Sequence, residues 1–187
     1  MIEKKSGHTN GEWRRALFSD SQEYRLLLDI LWDYPAKALM TTIGLNPSTA
    51  TELTDDATIR RAKRYARDWG FGGLRMLNAF AWRDTDPRSL FIVPDPIGPD
   101  NTIDFLKSNA TETTLAMWGV TITSRAWKHR YRGHDIAAVI PNIKAFRLTS
   151  DGHPEHCLRL PLNLRPISFS YEDDAMHDNW PTDLRTI

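Results

Sequence analysis

Three short stretches of the sequence carry side chains whose type and placement suit chemistry on a small polar ligand. The first is Gly44-Leu45-Asn46-Pro47-Ser48-Thr49. Pro47 lacks an N–H and pushes the residue before it into extended geometry, so the apolar run ending at Leu45 must stop there. A polar group held at such a rigid end is placed to orient one water or one substrate atom. Asn46 is no general base, but its carbonyl oxygen can accept a hydrogen bond from an attacking water. Ser48 and Thr49 can reach phosphate oxygens. Asn46-Pro47-Ser48-Thr49 also serves as a plain turn.

The second stretch is Met76-Leu77-Asn78-Ala79-Phe80. An amide inside an apolar run must find partners, because burying it unpaired costs roughly 1–3 kcal/mol. A nucleobase edge would satisfy both its oxygen and its NH₂; so would neighbouring backbone. The third stretch is Asp151-Gly152-His153-Pro154-Glu155-His156. Its histidines fit no standard zinc spacing, so no metal is expected. A loop histidine, His153 or His156, can instead donate to a substrate carbonyl. Arg60, Arg61, Lys63, Arg64 and Arg67 crowd one segment, and Arg125, Lys128, His129, Arg130 and Arg132 another. They suit phosphate contacts, of which Arg60 and Arg64 are the candidates, or simply a solvated helix face beside Asp55, Asp56 and Asp68.

The elements that must hold these groups are readable from periodicity and punctuation. Residues 12–34 read as two strands (13–18 and 24–32) joined at 19–23, with a helix as the weaker alternative. A buried strand follows at 38–45. A helix then begins at Thr54 or Asp55 and buries Ile59, Ala62, Ala66 and Trp69. Further strands are expected at 74–80, 113–118, 136–140 and 145–148, with helices at 102–108 and 122–132. Residues 1–11 read as a flexible N-terminus, 12–170 as a single domain, and 171–187 as an acidic tail. Strands alternating with helices imply an α/β fold, a three-layer sandwich around a mainly parallel sheet. In such sheets the functional crevice lies beyond the carboxyl ends of the strands, where all three stretches fall.

Composition limits the partners. The chain has 187 residues, with 24 Lys+Arg against 24 Asp+Glu, so no basic coat surrounds it. Its single cysteine, Cys157, excludes a disulfide framework and a multi-thiolate zinc site. No apolar run is long enough to span a bilayer and no signal core opens the sequence. A cytoplasmic, monomeric protein without a cofactor is the expectation.

The order of the motifs adds to this reading. L-N-P-S-T-A at 45–50, D-D-x-T-I-R-R at 55–61, L-N-x-F at 77–80, W-G at 118–119 and G-x-P-x-H at 152–156 resemble a bacterial and phage domain family of unknown function. The same order is similar to the uracil-DNA glycosylase superfamily. Gly44-Leu45-Asn46-Pro47 resembles its water-positioning G-x-x-P motif, Met76-Leu77-Asn78 its base-reading strand end, Met117-Trp118-Gly119 its L-W-G end, and the segment 153–158 its H-P-S-P-L loop. Glu155 stands where that loop has a small residue.

The resemblance implies a uracil-DNA-glycosylase-like fold and a monofunctional DNA N-glycosylase. Such an enzyme flips a modified or damaged pyrimidine out of DNA and cleaves its N-glycosidic bond. Asn46 would place the water, His156 or His153 would contact the base carbonyl, Asn78 would read the base edge, and Phe80, Trp82 or Trp69 would stack on the base. Two alternatives are a non-catalytic module that binds a nucleotide or nucleic acid, and a hydrolase of free nucleosides or nucleotides.

Overall fold

A computed structural model describes residues 1–9, 11–33, 38–48, 54–123 and 127–171. Thr49, Arg125 and the acidic residues after Tyr171 lie outside the described residues. No helix among the described residues is long and apolar enough to cross a membrane.

The hairpin is present. Strand β2 (Glu12–Phe18) buries every second residue and pairs antiparallel with β3 (Arg25–Leu31), Ala16 opposite Leu28. The N-terminus departs from the flexible segment expected of it. Ile2–Thr9 forms strand β1 along the free side of β2, Ile2 opposite Phe18. Its polar, lysine-bearing sequence lacks a core pattern because an edge strand needs only backbone pairing, and edge charges discourage further association.

The next strands form the parallel centre. Strand β4 (Leu39–Gly44) is followed by helix α1 (Ala57–Asp68) and β5 (Gly73–Asn78). Helix α2 (Ile103–Asn109) then leads to β6 (Thr113–Ala116). Helix α3 (Arg132–Val139) precedes the two-residue strands β7 (Lys144–Ala145) and β8 (Ile167–Ser168). The described strands form one sheet in the order β1-β2-β3-β5-β4-β6-β7-β8. Strands β5, β4, β6 and β7 are mutually parallel, while the β1–β2–β3 leaf and β8 are antiparallel to their neighbours. The sheet is therefore mixed rather than mainly parallel, because a short hairpin can only return antiparallel.

Two apolar clusters cover the two faces. One packs Ile59, Ala62, Tyr65 and Ala66 of α1 on Met40, Leu74, Met76 and Leu115. The other packs Leu106 of α2 and Ile136 of α3 on Ile43, Leu77 and Ala116. Alternate residues of β4–β6 thus feed opposite faces, giving the three layers expected of an α/β sandwich.

Two expectations fail in the third quarter of the chain. No α-helix covers the described part of 122–132 before Arg132, where α3 begins: Thr121–Thr123 is a single 3-10 turn, 128–131 are turns, and 124–126 lie outside the described residues. The strand expected at 136–140 is replaced by α3. Ile136–Ile140 is a short apolar run, and periodicity alone cannot separate a strand from one buried helical turn. The cap of α1 also shifts by a residue: Asp56, not Thr54 or Asp55, accepts the Ile59 N–H at 2.7 Å.

Candidate functional site

From β4 the chain crosses to β5 on one side and later to β6 on the other, so a crevice opens where the connections diverge. A cavity of about 470 Å³ lies there, a size ordinary for small-molecule sites. Gly44, Leu45 and Asn46 line it from the end of β4, Met76 and Asn78 from β5, and Met117, Trp118 and Gly119 from beyond β6. Asp56 and Ile59 close it from the start of α1, and Asp84 and His156 from loops.

The walls are fastened by backbone bonds. Ala79 N–H donates to Gly44 O and Phe80 N–H to Leu45 O, both at 2.9 Å. Asp84 N–H donates to Pro47 O at 3.0 Å, so the segments after β4 and β5 run zipped together. Gly119 N–H donates to Pro154 O at 2.9 Å, which draws the histidine loop to the end of β6.

Asn46 is held within this frame. Its Nδ2 donates to Asp84 O at 2.9 Å, which fixes the flip of the amide and leaves Oδ1 to accept from something else. Asn78 is 4 % exposed, and among the described residues it hydrogen-bonds only through its backbone. Its carbonyl and that of Ala79 accept from Asn101 Nδ2 at 3.2 and 3.1 Å. Arg132 Nε also donates to Ala79 O, at 3.1 Å. The burial of Arg132 lowers its pKa to about 10, still charged at neutral pH. A Cβ at Gly44 would lie 2.9 Å from Asn78 Oδ1, so the glycine makes room for that side chain. The result is a positioned amide with unused donors and acceptor at a cavity wall.

His156 completes the group. Leu158 N–H donates to its Nδ1 at 3.3 Å, so the neutral ring carries its proton on Nε2. The ring is exposed at the mouth, yet desolvation by the protein around it lowers its pKa, with Asp56 opposing. The neutral form, an Nε2–H donor, therefore prevails at pH 7. His153 does not line the cavity. Its ring centroid lies 5.9 Å from that of Tyr171, and its Nδ1 is buried without a partner among the described residues. The cavity thus brings together Asn46, Asn78 and His156, and leaves His153 outside.

The expected stacking aromatics are elsewhere. Phe80 is buried against Trp127 at 4.8 Å between centroids, Trp82 meets Tyr24 edge-on at 5.5 Å, and Trp69 packs on Tyr65 and Phe146. The apolar lining of the cavity instead includes Met76, Met117, Ile59 and Trp118. Met76 Sδ itself accepts a hydrogen bond from Thr42 Oγ1 at 3.0 Å. Nothing in the spacing of Met76 and Met117 distinguishes them from core residues, which is why sequence reasoning missed them.

The expected phosphate contacts are also redirected. Ser48 lines the cavity, but its Oγ donates to Asp56 Oδ2 at 2.7 Å. Arg60 donates to Asp55 O, and Arg64 pairs with Asp68 at 2.9 Å. Neither arginine lines the cavity. Lys63 pairs with Glu12 and Asp55, and Arg67 with Glu12. Arg61 donates to Leu160 O. Arg61, Lys63 and Arg67 therefore fasten α1 to the rest of the protein, while Arg60 and Arg64 make local contacts and stay exposed. Glu155 is paired as well, with Arg147 at 2.8 Å. Arg25, buried at the start of β3, is a basic residue that does line the cavity. Among the described residues no cluster of His, Cys, Asp and Glu is placed to hold a metal ion.

No curated protein and no solved structure matches this chain. Residues 25–158, well over half of it, match the family described as "Protein of unknown function (DUF1643)". That span takes in every described cavity-lining residue, from Arg25 to His156. The chain therefore belongs to the DUF1643 family.

Proposed function

We propose that the cavity receives a single nucleobase and that the protein hydrolyses the N-glycosidic bond of a modified or damaged pyrimidine, in the manner of a DNA glycosylase. The observation that carries this reading is Asn78, an amide with unused hydrogen-bonding capacity at the wall of a cavity shared with Asn46 and His156. A pyrimidine edge offers the donor and acceptor that such an amide needs.

In this reading Asn78 reads the base edge while Met76 and Met117 contact its plane. His156 Nε2–H donates to the base carbonyl on which negative charge grows. Asn46 Oδ1 accepts a hydrogen bond from the attacking water. The C1′–N bond breaks with its electron pair leaving on the base, the water oxygen bonds to C1′, and the proton released from the water ends on the base.

The test is a panel of single- and double-stranded oligonucleotides, each with one modified pyrimidine, followed by alkali. Abasic-site formation that falls about 100-fold or more in Asn46→Ala is the expected result. Intact strands across the panel refute the DNA reading.

The ion pairing along α1 favours a second substrate, the free nucleoside or nucleotide, which needs no phosphate-binding helix. Salt separates the two: affinity for a duplex falls steeply with ionic strength, whereas affinity for an uncharged nucleoside stays flat.

A further inference from the structure

Asp55 and Asp56 are adjacent in sequence, but only Asp56 faces the cavity. Each of its oxygens takes one hydrogen bond, Oδ1 from Ile59 N–H and Oδ2 from Ser48 Oγ, both at 2.7 Å. A carboxylate has about four lone-pair sites, so this geometry is rigid without being saturated. Among the described residues no lysine or arginine forms an ion pair with it, and the cations of α1 are engaged as described above. Arg25, Asp84 and His156 are the other titratable groups on the same walls. The unused Asn78 amide, nine-tenths buried and lining the same cavity, independently marks the place as a ligand site.

We infer that Asp56 is the carboxylate that stabilises the positive charge developing on the sugar as the glycosidic bond breaks, so that the cavity prefers a cationic sugar-like ligand to its neutral isostere. This rests on the N-glycosidic reading. Asn46 can orient a water but cannot take its proton, whereas a carboxylate in the same cavity can. As the water oxygen bonds to C1′ and the base departs with the bond's electron pair, the water proton passes to Asp56 and then to the base. A pre-positioned charge needs no reorganisation at that moment, which is where electrostatic catalysis gains most.

The cap role and the charge role can be separated, because Asn caps a helix as well as Asp does and Ser nearly so. Wild type, Asp56→Asn and Asp56→Ser are titrated calorimetrically at pH 7 with two probes. One is an iminoribitol carrying a pyrimidine, protonated on its ring nitrogen; the other is its uncharged cyclopentane isostere. Wild type is expected to bind the cation about tenfold tighter, the equivalent of one modest ion pair. Both variants should lose that preference with thermal midpoints little changed, while Asn46→Ala should keep it.

Equal affinity for the two probes in wild type, including no affinity for either, overturns the inference. So does a preference that survives in either folded variant. Base release by wild type that proceeds equally fast in Asp56→Asn overturns the inference alone. A preference that depends on Asp56, in a protein that releases no base from any substrate, supports charge recognition by Asp56 and refutes the hydrolytic reading.

Discussion

The seam between β2 and α1 and the cavity at the strand ends lie on either side of two consecutive aspartates, and they treat polar groups in opposite ways. At the seam the groups satisfy one another. Glu12 accepts from Arg14, Lys63 and Arg67, and Asp55 from Arg14 and Lys63. In the cavity, Asn78 keeps its side-chain amide, Asn46 keeps Oδ1 and His156 keeps Nε2–H. Asn78 is buried, and native proteins rarely leave buried polar groups unused, so the contrast sets a region whose polar groups pair internally against one whose buried amide does not.

The largest expected effect is at the seam. Arg14→Ala leaves two largely buried carboxylates short of a cation and should destabilise the protein by about 3–5 kcal/mol, read from urea unfolding. A loss well under that range would mean that the seam is not the closed network described here. Next comes Gly44→Ala at the boundary of the cavity. Its methyl would meet Asn78 Oδ1 at 2.9 Å and Met117 Cε at 3.5 Å, which should cost about 1–3 kcal/mol and displace the amide. Unchanged stability together with unchanged ligand affinity would show that the cavity wall is softer than the contrast requires.

The seam should also be sensitive to acid. Burial raises the pKa of Glu12 and of Asp55, but hydrogen bonds from Lys63 and Arg14 outweigh it, and both end below their ordinary values of 4.5 and 3.8. Depressed carboxylate pKa values contribute stability that is present above those ordinary values and lost as pH falls through the folded ones. The urea midpoint should therefore drop as pH is lowered below about 4.5, and drop less in Arg14→Ala. Equal acid sensitivity in the two proteins would remove Arg14 from the explanation.

The smallest effect should come from the cavity. Asn78→Leu breaks no side-chain hydrogen bond among the described residues and removes an amide that is costly to bury. Its stability should stay within about 0.5 kcal/mol of wild type while affinity for a pyrimidine nucleoside is lost. A large destabilisation would move Asn78 to the structural side of the comparison.

How much of this was legible depended on how local each signal was. The hairpin, β4, α1 and β5 announce themselves through alternation, a helical stripe and the Asn46-Pro47 stop, all encoded within a dozen residues. Strand β1 does not, because its pairing comes from β2 and not from its own composition. The apolar run after His134 was misread because the α2 packing that makes it helical lies outside the run itself. Within the site, Asn46, Asn78 and His156 stood out as polar residues where strands or loops break. Asp56 was legible as an acid suited to a helix start, not as a cavity wall, since that depends on where the chain after β4 brings α1. The cationic stripe of α1 was legible as charge, but its partners Glu12 and Asp55 come from folding.

Strand β4 is flanked on both sides by parallel neighbours, and its far end forms the cavity. Its amides therefore have no frayed edge from which to exchange with solvent, and their deuterium uptake should report only opening of the whole fold. A compound seated in the cavity would slow that uptake by its full binding free energy, through mass action on the folded state. The protection of Met40–Ile43 thus offers a label-free ligand screen in which no turnover has to be observed.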